Sequence, residues 1–194
     1  MHAVRASRYR SCLGIALVAA LSGCATAGAD ENMVFRAGGA EALVVFGLPD
    51  ARYGDAIHFL AIDPATCRAA RPYRSKTFRV GDMLGRIDDN EFRLAVWEPG
   101  VWVLHRTERG TAAPMTITYE DNSVAFEVRA GRFSYIGDFG SALAGNPHRG
   151  HSEATMAGFL APYSGIEVSP EAVSPQRTRY SREPDGERVA GCTL

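Results

Sequence analysis

From Ala42 onward the chain is written in short apolar runs, each stopped by turn residues, and that punctuation limits it to a fold built mainly of strands. Ala42 to Leu48 is continuously apolar and stops at Pro49-Asp50, while Ala56 to Ile62 is apolar around His58 and stops at Asp63-Pro64. Both suit buried strands. Phe92, Leu94 and Val96 alternate with Arg93, Ala95 and Trp97 before Glu98-Pro99-Gly100, where proline fixes φ and glycine accepts a positive one. Val101 to Arg106 then runs back, so the segment from Phe92 to Arg106 is predicted to be a hairpin. Met115 to Tyr119 and Val124 to Val128 flank Glu120-Asp121-Asn122-Ser123 as a second predicted hairpin, and Ala130-Gly131 turns the chain into Phe133 to Ile136. Short strands at this spacing favour an all-β, antiparallel sandwich over a parallel sheet, with its core in residues 41–140.

One helix is expected, from Ser152 as N-cap to Ala161, with Met156, Phe159 and Leu160 on one face and Pro162 ending it. Beyond Gly165 the tail carries prolines and mixed charge, and reads as irregular until Arg188 to Leu194, a possible edge strand. Residues 141–194 are thus expected to be a helix and a tail packed on the sandwich.

The N-terminus has a different texture. Arg5, Arg8 and Arg10 precede an apolar run from Cys12 to Leu21, and no acidic residue comes before Asp30. A spanning helix needs roughly 20 apolar residues; this run is about half that, as in the apolar region of a secretory signal. Leu21-Ser22-Gly23-Cys24 resembles the lipobox of bacterial lipoproteins. The resemblance implies cleavage between Gly23 and Cys24, diacylglycerol on the Cys24 thiol, and further acylation, such as palmitate, on the freed amine. The protein would then be held on a membrane by lipid alone. Ala25 stands where many Gram-negative lipoproteins carry an inner-membrane retention aspartate, so the implied destination is the outer membrane, facing the periplasm. Residues 25–40 are small, polar and glycine-rich, apart from an apolar interruption at Met33 to Phe35, and residues 24–40 are read as a lipidated, flexible tether.

Trp97-Glu98-Pro99-Gly100-Val101-Trp102-Val103-Leu104 resembles a segment of prealbumin-like and carboxypeptidase-regulatory-like β-sandwich domains. The run from Val128 to Phe139 looks like one that recurs in uncharacterised bacterial envelope lipoproteins with such domains. These resemblances imply a prealbumin or Ig-like sandwich and an envelope location, and they bring no catalytic residues. With Cys12 in the discarded signal and Cys24 lipidated, Cys67 and Cys192 are left; in an exported protein they suggest one disulfide, two independent buried thiols being the alternative.

Removing residues 1–23 leaves 171 of the 194 residues and takes three arginines away, so the formal net charge goes from −1 to −4, against a nucleic-acid partner. The candidates for chemistry are few. His148 and His151, with Glu153 nearby, could hold part of a metal site, but zinc wants three or four ligands and these two lie in a loop. Asp138 could line a binding edge. Arg68, Arg71, Arg74, Lys76 and Arg79, with no acid among them, could meet an anionic partner, or merely guard a sheet edge. Trp97 and Trp102 could stack on a sugar, although core packing is the commoner use of such a pair. No Gly-x-Ser-x-Gly elbow is present. The expected function is therefore a non-enzymatic binding or structural role in the envelope, with no cofactor and with another envelope protein or a glycan as partner. Its rival is a small metal-dependent hydrolase using the His148/His151 loop.

Overall fold

The computed structural model describes residues 29–48, 54–80, 92–110, 115–118, 123–139, 153–183, 186–190 and 192. Cys24 with its Gly23 cleavage point, and the loop histidines His148 and His151, lie outside the described residues.

The protein is all-β. Its strands are β1 (Ala42–Gly47), β2 (Ala56–Asp63), β3 (Arg68–Ala69), β4 (Ser75–Arg79), β5 (Phe92–Trp97), β6 (Gly100–Arg109), β7 (Met115–Thr118), β8 (Ser123–Val128), β9 (Phe133–Asp138), β10 (Glu171–Ala172), β11 (Gln176–Glu183) and β12 (Gly186–Ala190), and the helix α1 spans Glu153–Leu160. Six strands close a barrel in the order β2-β3-β12-β11-β8-β6, every neighbouring pair antiparallel. β4 extends it from β2 and β7 from β6. The remaining strands form a second sheet, β10-β9-β1-β5, in which β1 is antiparallel to β5 but parallel to β9.

The expected hairpin from Phe92 to Arg106 is not formed. β5 pairs with β1 in the small sheet, and β6 pairs with β2 and β8 in the barrel, so Glu98-Pro99 carries the chain across between layers. The reason lies in the two tryptophans: both are fully buried, their rings 4.8 Å apart, one reaching the interlayer core from each side. Trp102 Nε1 donates to the Glu98 carbonyl at 3.1 Å, and Gly100 takes φ +145°. Alternation in sequence is the same for strands that pair and for strands that face each other. The second expected hairpin is absent for a similar reason, because β6 lies between β7 and β8 and pairs with both.

The tail also differs from expectation. β11 and β12 pair with each other and complete the barrel wall, joining β8 to β3. Arginines at 177, 179 and 182 dominate the composition of β11, but Thr178 and Tyr180 alternate with them and are buried. The core therefore extends well beyond residue 140.

Strand β2 is apolar on both faces because it has a core on each. Leu60 and Ile62 face the barrel interior with Val101, Val103, Ala125 and Val189. Ile57, Phe59 and Ala61 face the small sheet, meeting Val44 and Phe46 of β1 and both tryptophans. The other face of the small sheet, with Leu43, Val45, Leu94 and Phe133, is covered by Met156 and Phe159 of α1. Cys67 and Cys192 are joined as a disulfide, Cα atoms 5.6 Å apart, within the barrel-interior cluster.

The expected tether is already part of the domain from Ala29. The Ala29 amide donates to the Leu94 carbonyl at 2.7 Å, and that of Phe35 to Gly165 at 3.1 Å. Phe35 is buried against Phe133, so the apolar interruption at Met33 to Phe35 is the segment's anchor. Gly131, at φ +66°, allows the close approach that follows: a Cβ there would sit 2.4 Å from the Gly38 Cα.

Candidate functional site

One end of the barrel interior changes character. On the inward face of β2, Leu60 and Ile62 are followed toward the strand's start by His58, and on β6 the aliphatic Val101 and Val103 give way to His105, Arg106 and Glu108. A β-bulge makes this possible: His58 pairs with Arg106 but Phe59 with Leu104, leaving His105 as the extra residue. Thr77 and Arg79 arrive from β4, Arg182 from β11, Glu187 from β12, and Tyr73 from the chain before β4. Together they line a cavity of about 480 Å³ at the barrel mouth.

Glu108 organises one wall. Its Oε1 lies 3.1 Å from His58 Nε2 and 3.3 Å from Arg106 Nη2, and its Oε2 accepts from Arg79 Nη2 at 3.1 Å. His58 Nδ1 is 2.9 Å from Thr77 Oγ1 and 3.3 Å from Arg106 Nη2. A guanidinium can only donate, so Nδ1 accepts and the proton of the neutral ring sits on Nε2, toward Glu108. That Nε2–H is buried and bent away from a proper hydrogen bond, and Arg106 Nε is buried without a partner.

The opposite wall is built on Glu187, which accepts from the hydroxyls of Tyr73 and Tyr180 and faces Arg182 Nη2 at 3.8 Å. The Tyr180 ring packs 5.5 Å from that of His105, and His105 lies 6.2 Å from His58. Burial, with the Glu187 carboxylate adding to it, pushes both tyrosines above their ordinary value, so they remain donors. Burial also pulls both histidines down, Arg106 adding to the effect: His58 falls below 6.5, against the pull of Glu108, and His105 falls to about 4, against the pull of Glu187. Both rings are neutral near pH 7.

No protein-family model, curated protein or solved structure matches this chain. The reading of the mouth therefore rests on its own chemistry. Among the described residues no group of three or more His, Cys, Asp or Glu side chains is placed to hold a metal. The mouth offers many donors, two carboxylates already engaged, and a His58 ring whose tautomer is fixed by the contacts of Thr77 and Arg106 with its Nδ1.

Of the residues singled out from sequence as candidates, Arg79 belongs to the mouth and the other described ones lie elsewhere. Trp97 and Trp102 have no exposed surface, so neither can stack on a sugar. Asp138 is buried and accepts from Tyr135 Oη at 2.6 Å, which takes it away from any binding edge. Three of the five members of the basic run pair with acids: Arg68 lies 3.5 Å from Glu183, Lys76 3.3 Å from Glu98, and Arg79 3.1 Å from Glu108. Of the mouth, sequence reasoning noticed His58, as a polar interruption in an apolar strand, and Arg79, as the last member of the basic run. His105-Arg106-Thr107-Glu108, a charged end to an apolar strand, was the other available signal.

His105 makes the fold acid-sensitive. The unfolded chain takes a proton on this residue near 6.5, whereas the folded protein resists until about 4. Between those values the unfolded state holds more protons, so stability is full above the upper value and is lost as pH falls toward the lower one. At about 1.4 kcal/mol per unit the loss approaches ~3 kcal/mol near pH 4. Urea unfolding at pH 7.5 and 4.5 should show a steeper fall for the wild type than for His105→Gln; equal falls would mean that burial of His105 is not what sets acid sensitivity.

Proposed function

We propose that the chain is a lipid-anchored bacterial envelope lipoprotein, cleaved between Gly23 and Cys24, carrying diacylglycerol on Cys24, and facing the periplasm from the outer membrane. Its domain has a non-enzymatic binding role, exercised at the barrel mouth on a ligand or partner of the envelope. The observation that carries the binding reading is the change of lining along one barrel, from aliphatic side chains to three arginines, two histidines and two glutamates around an open cavity. Carboxylates as withdrawn from water as Glu108 and Glu187 are a poor way to stabilise a small barrel, since desolvation offsets much of the attraction to their partners. Recognition of a polar ligand gives it a use. The Cys67–Cys192 disulfide supports the compartment, because such bonds persist where the surroundings are oxidising.

The finer description of the fold belongs to the same proposal. A prealbumin or Ig-like sandwich is supported by two β-layers facing each other across one aromatic core, although the six-strand closure and the β1–β9 parallel pair are additions to the simplest sandwich.

Replacing the anchor residue tests the reading directly. Cys24→Ala should abolish incorporation of labelled palmitate and leave an uncleaved or mis-cleaved precursor, because the modification needs a thiol at that position. Equal label in wild type and variant would overturn the lipoprotein assignment.

A further inference from the structure

We infer that the barrel mouth binds a small oxyanion, a molecule bearing a carboxylate or a phosphate group, held between Arg106 toward the base and Arg182 at the rim. This rests on the binding role proposed above and gives it a ligand class. The argument is a count of donors, acceptors and charge. Among the described residues, Arg79, Arg106 and Arg182 set three fixed positive charges against Glu108 and Glu187, and both histidines are neutral, so the described lining carries one uncompensated positive charge.

The acceptors are used up internally. Glu108 is engaged by Arg79 and Arg106, and Glu187 by Tyr73, Tyr180 and Arg182. Each guanidinium brings five N–H donors and no acceptor, so donors remain in excess once both carboxylates are satisfied. Arg106 shows the excess: one Nη2 serves Glu108 and His58, while its buried Nε has no partner. The Ser75 side chain on β4 adds a further donor on the cavity wall.

A neutral polyol would bring donors of its own into a site already rich in them. A cation would meet the uncompensated charge. An oxyanion brings acceptors only, matches the planar fork of a guanidinium, and cancels the excess charge; charge-assisted bonds of this kind are the strong ones. The cavity of about 480 Å³ admits a small metabolite-sized anion and not a folded partner's surface.

The test is calorimetric titration of the full-length protein in a non-ionic detergent, disulfide intact, in a buffer free of phosphate and carboxylates. Inorganic phosphate and succinate are the anionic probes, and sucrose is the neutral one. The expected result is saturable one-site binding of at least one anion, weakened at least tenfold by Arg182→Gln with the melting temperature unchanged, as suits a side chain 79 % exposed. Whichever anion binds more tightly identifies the group. Arg106→Gln should weaken binding further, and if it does not fold, the rim variant still decides. No saturable binding of either anion, or equal affinity in Arg182→Gln and wild type, would overturn the inference. Sucrose binding in place of the anions would overturn the ligand class while leaving the binding role intact.

Discussion

Replacing Cys67 and Cys192 together by serine is expected to destabilise the protein by about 5 kcal/mol, the value the chain-entropy relation gives for a loop of this length. The two residues are 125 apart in sequence, so the bond removes a large share of the unfolded chain's freedom. Its position strengthens the case. β3 is two residues long and meets β12 through a single pair, Arg188 with Arg68, so this is the narrowest seam in the barrel wall. The bridge ties the start of that seam to the residue just past β12, and Cys192 is fully buried there. Urea unfolding of the wild type and the double variant, in identical non-reducing buffer, measures the difference. A loss below ~1 kcal/mol would mean that the seam holds without its staple, and that the unfolded chain is already compact enough for the cross-link to constrain little.

Phe59→Ala is the second large effect, expected to cost about 4 kcal/mol from lost burial and the cavity left behind. The Phe59 ring has no exposed surface and lies between 5.2 and 6.2 Å from those of Phe46, Phe78, Trp97, Phe126 and Phe139. Those partners come from β1, β4, β5, β8 and the end of β9, so the ring stands where the two layers meet. Rings held from five sides cannot all move inward to fill the space. Equilibrium unfolding should show an earlier midpoint with little change in slope, and a cost under ~1.5 kcal/mol would place the centre of packing elsewhere. Val34→Ala, at a side chain about two-thirds exposed, is the control, expected to change stability by less than ~1 kcal/mol.

How much of this was legible in the sequence depends on the range of the interaction. The apolar run Ala56–Ile62 was readable as a buried strand because its cause is local composition, and α1 because Met156, Phe159 and Leu160 follow a helical period. Partner choice was not readable. Trp97 and Trp102 flank a turn in either case, and whether their strands pair or stack is decided by β1 and β2, far away in the chain. β11 was missed because arginines masked its alternation of two buried positions. That omission hid the site as well: His58, His105 and Glu108 lie on two strands that a reader could mark separately, but only closure by β11 and β12 brings Arg182 and Glu187 across from them.

The short reach of the amino-terminal segment has a mechanical consequence. With Ala29 bonded to β5 and Phe35 seated against β9, a pull on the chain's amino end enters the small sheet and not the barrel. At no more than ~3.5 Å per residue, a link from residue 24 to residue 29 extends at most about 17 Å. A protein fixed at residue 24 would therefore travel as a load on a stubby stalk, its small sheet taking the drag of any motion along the surface. The barrel mouth lies in the other layer, so the aromatic core stands between it and the sheet that such a pull would load.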